Sequence, residues 1–94
     1  MARNAIHPGE HLADAMTASG LSAAQLAREI EVPANRITGI LHGTRAITAD
    51  TALRFERYFG VSAQFWLNLK QLFDLRNAEK EIGKMLKRIP RRAA

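Results

Sequence analysis

The sequence predicts an all-α fold: a five-helix bundle whose last helix is longer than the rest or runs on into a tail. Three observations predict it. Apolar residues recur at i, i+3 and i+4, the period of a helix buried on one side. Residues that start and stop helices punctuate the chain at short intervals. Alternation with a period of two never lasts four residues without a helical period fitting as well.

The elements follow in order. His7-Pro8-Gly9-Glu10 opens the first helix, with Pro8 suited to the first helical position and Glu10 to the first turn, where an acid meets the positive end of the helix dipole. Leu12, Ala15 and Met16 share a face, and Gly20 stands where a left-handed cap is expected. Ser22 and Gln25 form a capping box at the start of the second helix, each side chain satisfying a free backbone N–H near the other. Leu26, Ala27 and Ile30 supply its buried face, and Val32-Pro33 stops it, because the residue before proline is pushed out of helical geometry. A third helix runs from about Ala34 to His42 and closes at Gly43, with Ile37, Ile40 and Leu41 as its apolar stripe. Thr48 and Asp50 start a fourth, in which Ala52, Leu53, Phe55, Phe59 and Tyr58 are expected to pack, and Gly60 ends it. Ser62 caps a fifth, with Phe65, Trp66, Leu69, Leu72 and Phe73 at helical spacing. Its helical period runs past residue 80, interrupted only by Gly83, but Ile82, Met85, Leu86 and Ile89 are spread among charges. Residues 79–94 therefore read as a frayed or partner-ordered extension that Pro90 terminates.

Composition narrows what such a bundle does. At 94 residues the chain is one domain with a small core. It has no cysteine, so disulfides, thiol nucleophiles and cysteine metal sets are excluded. No apolar run is long enough to span a bilayer, and the first residues show no hydrophobic leader, so a cytoplasmic protein is expected. The net charge of +5 is unevenly placed. Residues 1–78, read as one folded body with the start of the fifth helix, carry eight Lys and Arg against seven Asp and Glu. Residues 79–94 carry six against two, a basic C-terminal extension. A nearly neutral body that meets nucleic acid does so with a few placed groups and not with a broad positive field.

The second and third helices, about three residues apart, have the spacing of a helix-turn-helix, whose second helix enters the DNA major groove. With Ile37 turned to the core, Asn35, Gly39 and His42 face away, Arg36 and Thr38 lie on the flanks, and Ala34 sits at the exposed N-terminal end. This outward set contains no acid. Asn pairs bidentately with adenine and Arg with guanine, and Gly39 would let the helix approach base edges closely. Arg45 and Thr44, past the third helix, are placed for backbone phosphates, as are the amides near Thr48.

The stretch from Leu21 to Arg45 resembles the helix-turn-helix of the Cro/C1 repressor superfamily. The flanking motifs His7-Pro8-Gly9-Glu10-His11-Leu12, Ile47-Thr48-Ala49-Asp50-Thr51-Ala52-Leu53-Arg54-Phe55 and Phe65-Trp66-Leu67-Asn68-Leu69-Lys70 resemble the HigA-type antitoxins, over about residues 6–76. That resemblance implies an antitoxin of a type II toxin–antitoxin operon: a homodimer that binds inverted-repeat operator DNA, represses its own operon, and neutralises a HigB toxin, a RelE-like mRNA endonuclease. It implies a cytoplasmic, nucleoid-associated bacterial protein without cofactors. It places base contacts on Ala34, Asn35, Arg36, Thr38 and Gly39. Phosphate contacts fall at Ser22 and Ala23 and again at Thr44 and Arg45. Two positions depart from the family pattern: Ala23 stands where many relatives have glutamine, and Glu31 stands at the usual glycine of the turn, predicting a less tight turn.

One small module buries on the order of 600–1,000 Å² on DNA, too little for useful specificity, so a twofold dimer is expected. Its interface is expected on the fifth helix, drawn from Phe65, Trp66, Leu69, Leu72, Phe73 and Leu75 and chiefly from the C-terminal half of that set, the alternative being that all six are core. His7 and His11 have zinc-chelating spacing but no third ligand in view, and read as an incidental surface pair; no metal and no catalytic residue is expected. Ser19, Ser22 and Ser62 each have a capping or turn role, and no glycine-rich phosphate loop is present. The rival functions are a Cro-like repressor without a toxin and a protein-binding adaptor that does not bind DNA.

Overall fold

The computed structural model describes residues 6–92; residues 1–5, part of the stretch read as lacking a leader, and residues 93–94 of the basic extension lie outside the described residues. Five helices follow one another: α1 (Pro8–Ser19), α2 (Ala23–Glu29), α3 (Ala34–His42), α4 (Ala49–Phe59) and α5 (Ala63–Leu86). α2 packs on α3, α4 on α5, and α1 on both α3 and α5. Among the described residues there is no strand, and no helix is long and apolar enough to cross a membrane.

The caps read from sequence are the caps observed. Ser22 Oγ accepts from the Gln25 N–H at 3.2 Å while Gln25 Oε1 accepts from the Ser22 N–H at 2.8 Å. Thr48 and Ser62 side chains accept from Thr51 and Phe65 amides. α1, α3 and α4 close on Gly20, Gly43 and Gly60. His7 is more than half of an incidental pair. It caps α1, its Nδ1 accepting from the Gly9 N–H at 2.8 Å, and its ring meets Phe73 of α5 edge-on at 5.0 Å. The nitrogen facing Gly9 is thereby occupied as an acceptor.

Leu12, Met16, Leu26, Ala27, Ile30, Ile37, Ile40, Ile47, Ala52, Phe55 and Trp66 form one buried cluster, with Phe59, Leu41 and Leu69 packed around it. Leu53 does not join: it is 58% exposed. The inner face of α4 is completed instead by Thr51, one turn before Phe55, whose buried hydroxyl pairs with that of Thr48 at 3.3 Å. Leu53 falls outside that arc because α5 covers α4 on one side only. Tyr58 is also largely exposed, its ring edge-on to Phe59 at 5.2 Å.

Gly9 is buried because α1 and α3 nearly touch. A Cβ there would lie 2.5 Å from the Ile40 carbonyl oxygen and 2.7 Å from His7 Nδ1. Any side chain at this position would push the two helices apart.

α5 does not fray at residue 79. It continues through Gly83 to Leu86, 24 residues in all, with Pro90 beyond its last turn. Good helix formers surround Gly83 and absorb its cost of about 1 kcal/mol, and the pairs Lys70–Asp74 and Arg76–Glu79 add local support.

The turn between α2 and α3 stays tight with glutamate in it. Glu31 takes φ 60°, the left-handed region that costs a residue with a Cβ roughly 1–2 kcal/mol. The expected relaxation of the turn does not occur, because Val32 N–H still bonds to Ala27 O at 2.9 Å and Ile30 is pinned in the core. Replacing Glu31 with glycine is therefore expected to raise unfolding free energy by about 1 kcal/mol in urea denaturation. A neutral or destabilising result would mean that the glutamate side chain compensates the strain.

Candidate nucleic-acid interface

Helix α3 is one-sided. Ile37 and Ile40 are buried, while Ala34 and Asn35 are exposed and Thr38 and Gly39 are half-exposed. The Thr38 hydroxyl makes only long contacts of 3.4 Å with the Ala34 and Asn35 carbonyls, so it is available to a ligand. The outward strip foreseen from helical phase is thus uncovered in the folded chain, including His42 at the C-terminal end.

Gly39 does something other than bring the helix close to a ligand. Its carbonyl accepts from Thr44 N at 2.9 Å, from Arg45 N at 3.1 Å and from Thr44 Oγ1 at 3.3 Å. A Cβ on Gly39 would lie 3.0 Å from Arg45 Cβ and 3.6 Å from Arg45 Cδ. The missing side chain lets the loop after α3 fold down onto the helix, laying the arginine stem along the outward strip. Arg45 is consequently exposed beside Gly39, while the Thr44 hydroxyl donates its proton inside the chain.

At the start of α2 the two expected residues separate. Ser22 is exposed and its hydroxyl proton is free, since its oxygen only accepts within the capping box. The Ala23 methyl packs against the core, so any contribution to a ligand comes from its backbone.

Arg36 is not a free side chain. It lies half-buried on the flank of α3, where Nη1 donates to Asp50 Oδ1 of α4 at 3.2 Å. The same oxygen accepts from Arg54 Nε at 2.8 Å, and Arg54 Nη1 donates to the Ile30 and Glu31 carbonyls at 2.6 and 3.3 Å. Sequence reading had Asp50 only as a helix-start acid and passed over Arg54. The Asp50–Arg54 spacing of i, i+4 was visible, but nothing local joins Arg36 to a residue fourteen positions on.

The residues expected to pair two copies divide. Trp66 belongs to the core: it is 2% exposed and its ring lies 4.9 Å from that of Phe55, tilted by 58°. Nine residues, two and a half helical turns, separate it from Leu75, so the two point to opposite sides of α5. Leu69 packs beside the core and Phe73 against His7, both half-buried. Phe65, Leu72 and Leu75 are 40, 48 and 56% exposed. Sequence reading left out of this set Ile82, Leu86 and Ile89, which are also exposed and extend the Leu72–Leu75 line by alternate steps of seven, four and three.

With this geometry in view, comparison with known proteins is specific. A helix-turn-helix family model matches residues 12–66. Virulence-associated protein I of Dichelobacter nodosus is 50% identical over 78 residues, 82% of this chain and 72% of that protein. The structure of an addiction module antidote protein of a HigA family from Coxiella burnetii superposes with a TM-score of 0.90 at 43% identity, covering 97% of this chain and all of that one. Pseudomonas aeruginosa antitoxin HigA, solved with higBA promoter, superposes with a TM-score of 0.89 at 38% identity over 97% of this chain and all of that one.

The Arg36–Asp50–Arg54 link has a measurable signature. The hydrogen bond from Arg54 is the largest influence on the Asp50 carboxyl and, with the charges of Arg54 and Arg36, holds it below its ordinary 3.8 against the opposing effect of desolvation. A folded-state value below the unfolded one means that this group's stabilisation is present above the unfolded value and is lost as pH falls through the folded one. Carboxyl NMR is expected to give Asp50 a midpoint below 3.8 that rises in Arg54→Ala. An unmoved midpoint in that variant would show that Arg54 does not hold the carboxylate.

Proposed function

The chain belongs to the HigA family of helix-turn-helix antitoxins and not to an enzyme family, and from that premise we propose that it is a dimeric repressor of its own operon that also binds and neutralises a HigB-type, RelE-like toxin. The observation that carries the DNA-binding part is the uncovered strip of α3, Ala34, Asn35, Thr38 and Gly39, with the Arg45 stem folded along it by the loop that Gly39 admits. Asn35 is the side chain suited to adenine and Arg36 the one suited to guanine. Arg45 and Ser22 flank the strip at a phosphate-contacting position. The antitoxin HigA of Pseudomonas aeruginosa was solved with higBA promoter, and the close superposition on it supports the same use of this face.

Dimerisation is supported by the line Leu72, Leu75, Ile82 and Leu86, exposed on the side of α5 away from Trp66, with Ile89 exposed just past the helix end. Leu72–Leu75 and Ile82–Leu86 keep the three-and-four spacing of a helix-pairing seam, with Glu79 at the position between them and Phe65 seven residues before Leu72. Two copies joined there double the DNA contacts and call for an inverted repeat with half-sites about one helical turn, or a multiple of it, apart.

Co-expression with the adjacent small reading frame tests the toxin half. Rescue of growth together with co-purification is the expected result. Promoter binding without either would leave a Cro-like repressor. For the operator half, Asn35→Ala is expected to cost about 1–3 kcal/mol per half-site contact for the cognate site, with little loss on unrelated DNA. Arg45→Ala is expected to weaken binding to all sequences and to lower the salt slope by about one per half-site. Equal effects of Asn35→Ala on cognate and unrelated DNA, or a salt slope unmoved by Arg45→Ala, would contradict these assignments.

A further inference from the structure

We infer that Asp50 is a specificity-determining positioning residue: it holds the Arg36 guanidinium at the edge of α3 and aligns its remaining donors with one base pair in each half-site. The inference rests on the reading of α3 as the DNA-facing helix. Its basis is a continuous chain of polar contacts that begins in the backbone of the helix-turn-helix turn. Arg54 Nη1 is anchored on the Ile30 carbonyl at 2.6 Å and lies 3.3 Å from that of Glu31. Its Nε holds Asp50 Oδ1 at 2.8 Å, and Oδ1 receives Arg36 Nη1 at 3.2 Å. The head of Arg36 is thus referenced to the same tight turn that sets the angle of α3 against α2.

Two consequences give the role its sign. Free arginine has a long stem with many rotamers, and ordering it on DNA costs entropy that a tether removes in advance. Only Nη1 of Arg36 is engaged, so Nε and Nη2 remain for the paired acceptors O6 and N7 of guanine. The carboxylate also repels phosphate wherever Arg36 finds no matching base. It therefore disfavours unrelated DNA as well as orienting the reader, and discrimination arises from both effects. Asp50 is itself exposed, its side chain at 59%, and lies one helical turn or less from the Thr48 cap, so its removal leaves the core untouched.

The test compares Asp50→Asn, Asp50→Glu, Arg36→Ala and the Asp50→Asn/Arg36→Ala pair by binding to the promoter and to promoter variants, at one salt concentration. The base pair read by Arg36 is the one whose substitution no longer matters to Arg36→Ala. At that base pair, Asp50→Asn is expected to lose about five- to tenfold of the discrimination, with binding to unrelated DNA unchanged or tighter, and Asp50→Glu to keep most of it. In the Arg36→Ala background Asp50→Asn is expected to cause no further loss, which a merely structural contribution of Asp50 would cause. Discrimination that survives Asp50→Asn in a protein that prefers its promoter overturns the role of Asp50 alone, as do equal losses in the two backgrounds. Absence of any promoter preference in the unaltered protein overturns it together with the reading of α3.

Discussion

The position of α3 depends on one close approach. At Gly9 the first helix comes so near the third that no side chain fits between its backbone and the Ile40 carbonyl. The His7 ring closes the same corner, capping α1 and resting against Phe73 of α5, with Gly43 beneath its other edge. Three helices therefore meet where one imidazole and two glycines stand. α3 spans only nine residues and contributes two fully buried side chains, Ile37 and Ile40. A helix that short is unstable alone. Its orientation is imposed by this corner at one end and by the strained Glu31 turn at the other.

That imposed orientation is what makes a polar outer face affordable. Since the buried side of α3 is held from both ends, the side chains of Asn35 and Thr38 are not needed by the core, and their chemistry is free for recognition. The loop beyond uses the same economy. Three donors from Thr44 and Arg45 join the Gly43 cap N–H on the Gly39 carbonyl, so the segment carrying Arg45 is fixed to the helix it flanks and does not swing as a separate arm. A surface assembled from a helix and a loop then moves as one rigid body, which lowers the ordering cost of binding.

Local structure was legible in the sequence. Capping boxes, proline positions and terminal glycines are short-range devices, so all five helix starts and the glycine stops could be read within a residue or two. Helical phase likewise gave the inward and outward sides of α3. Contacts between distant residues were not legible. The sequence says that Gly39 lacks a side chain, but not that Arg45 lies over it. It shows Arg36 as a long cation, but not that Asp50 fourteen residues on receives it. The same blindness put Trp66 and Leu72 in one set, because both are large, apolar and on one helix. Helical phase turns them to different sides of α5, and the position of α4, which places Phe55 against the indole, decides which of those sides is the core.

The separation along α5 bears on how such a chain divides its labour. Up to Phe73 the side of the helix in phase with Trp66 is covered by the body. Beyond it that same phase is taken by Lys80, Lys84 and Lys87, as expected once there is no core to face. The opposite side behaves differently: interrupted only by Glu79, apolar residues persist there at Leu72, Leu75, Ile82 and Leu86, past the point where the body ends, and Ile89 follows just beyond the helix. A helix that ran on merely as a solvated extension would have no reason to keep that stripe while making its core-facing side basic. Burial of the stripe against a second α5 would also explain why residues 79–86 hold a regular helix although their side chains are exposed among the described residues. Core and seam then occupy opposite faces of one element, so weakening the seam would separate two folded copies without unfolding either.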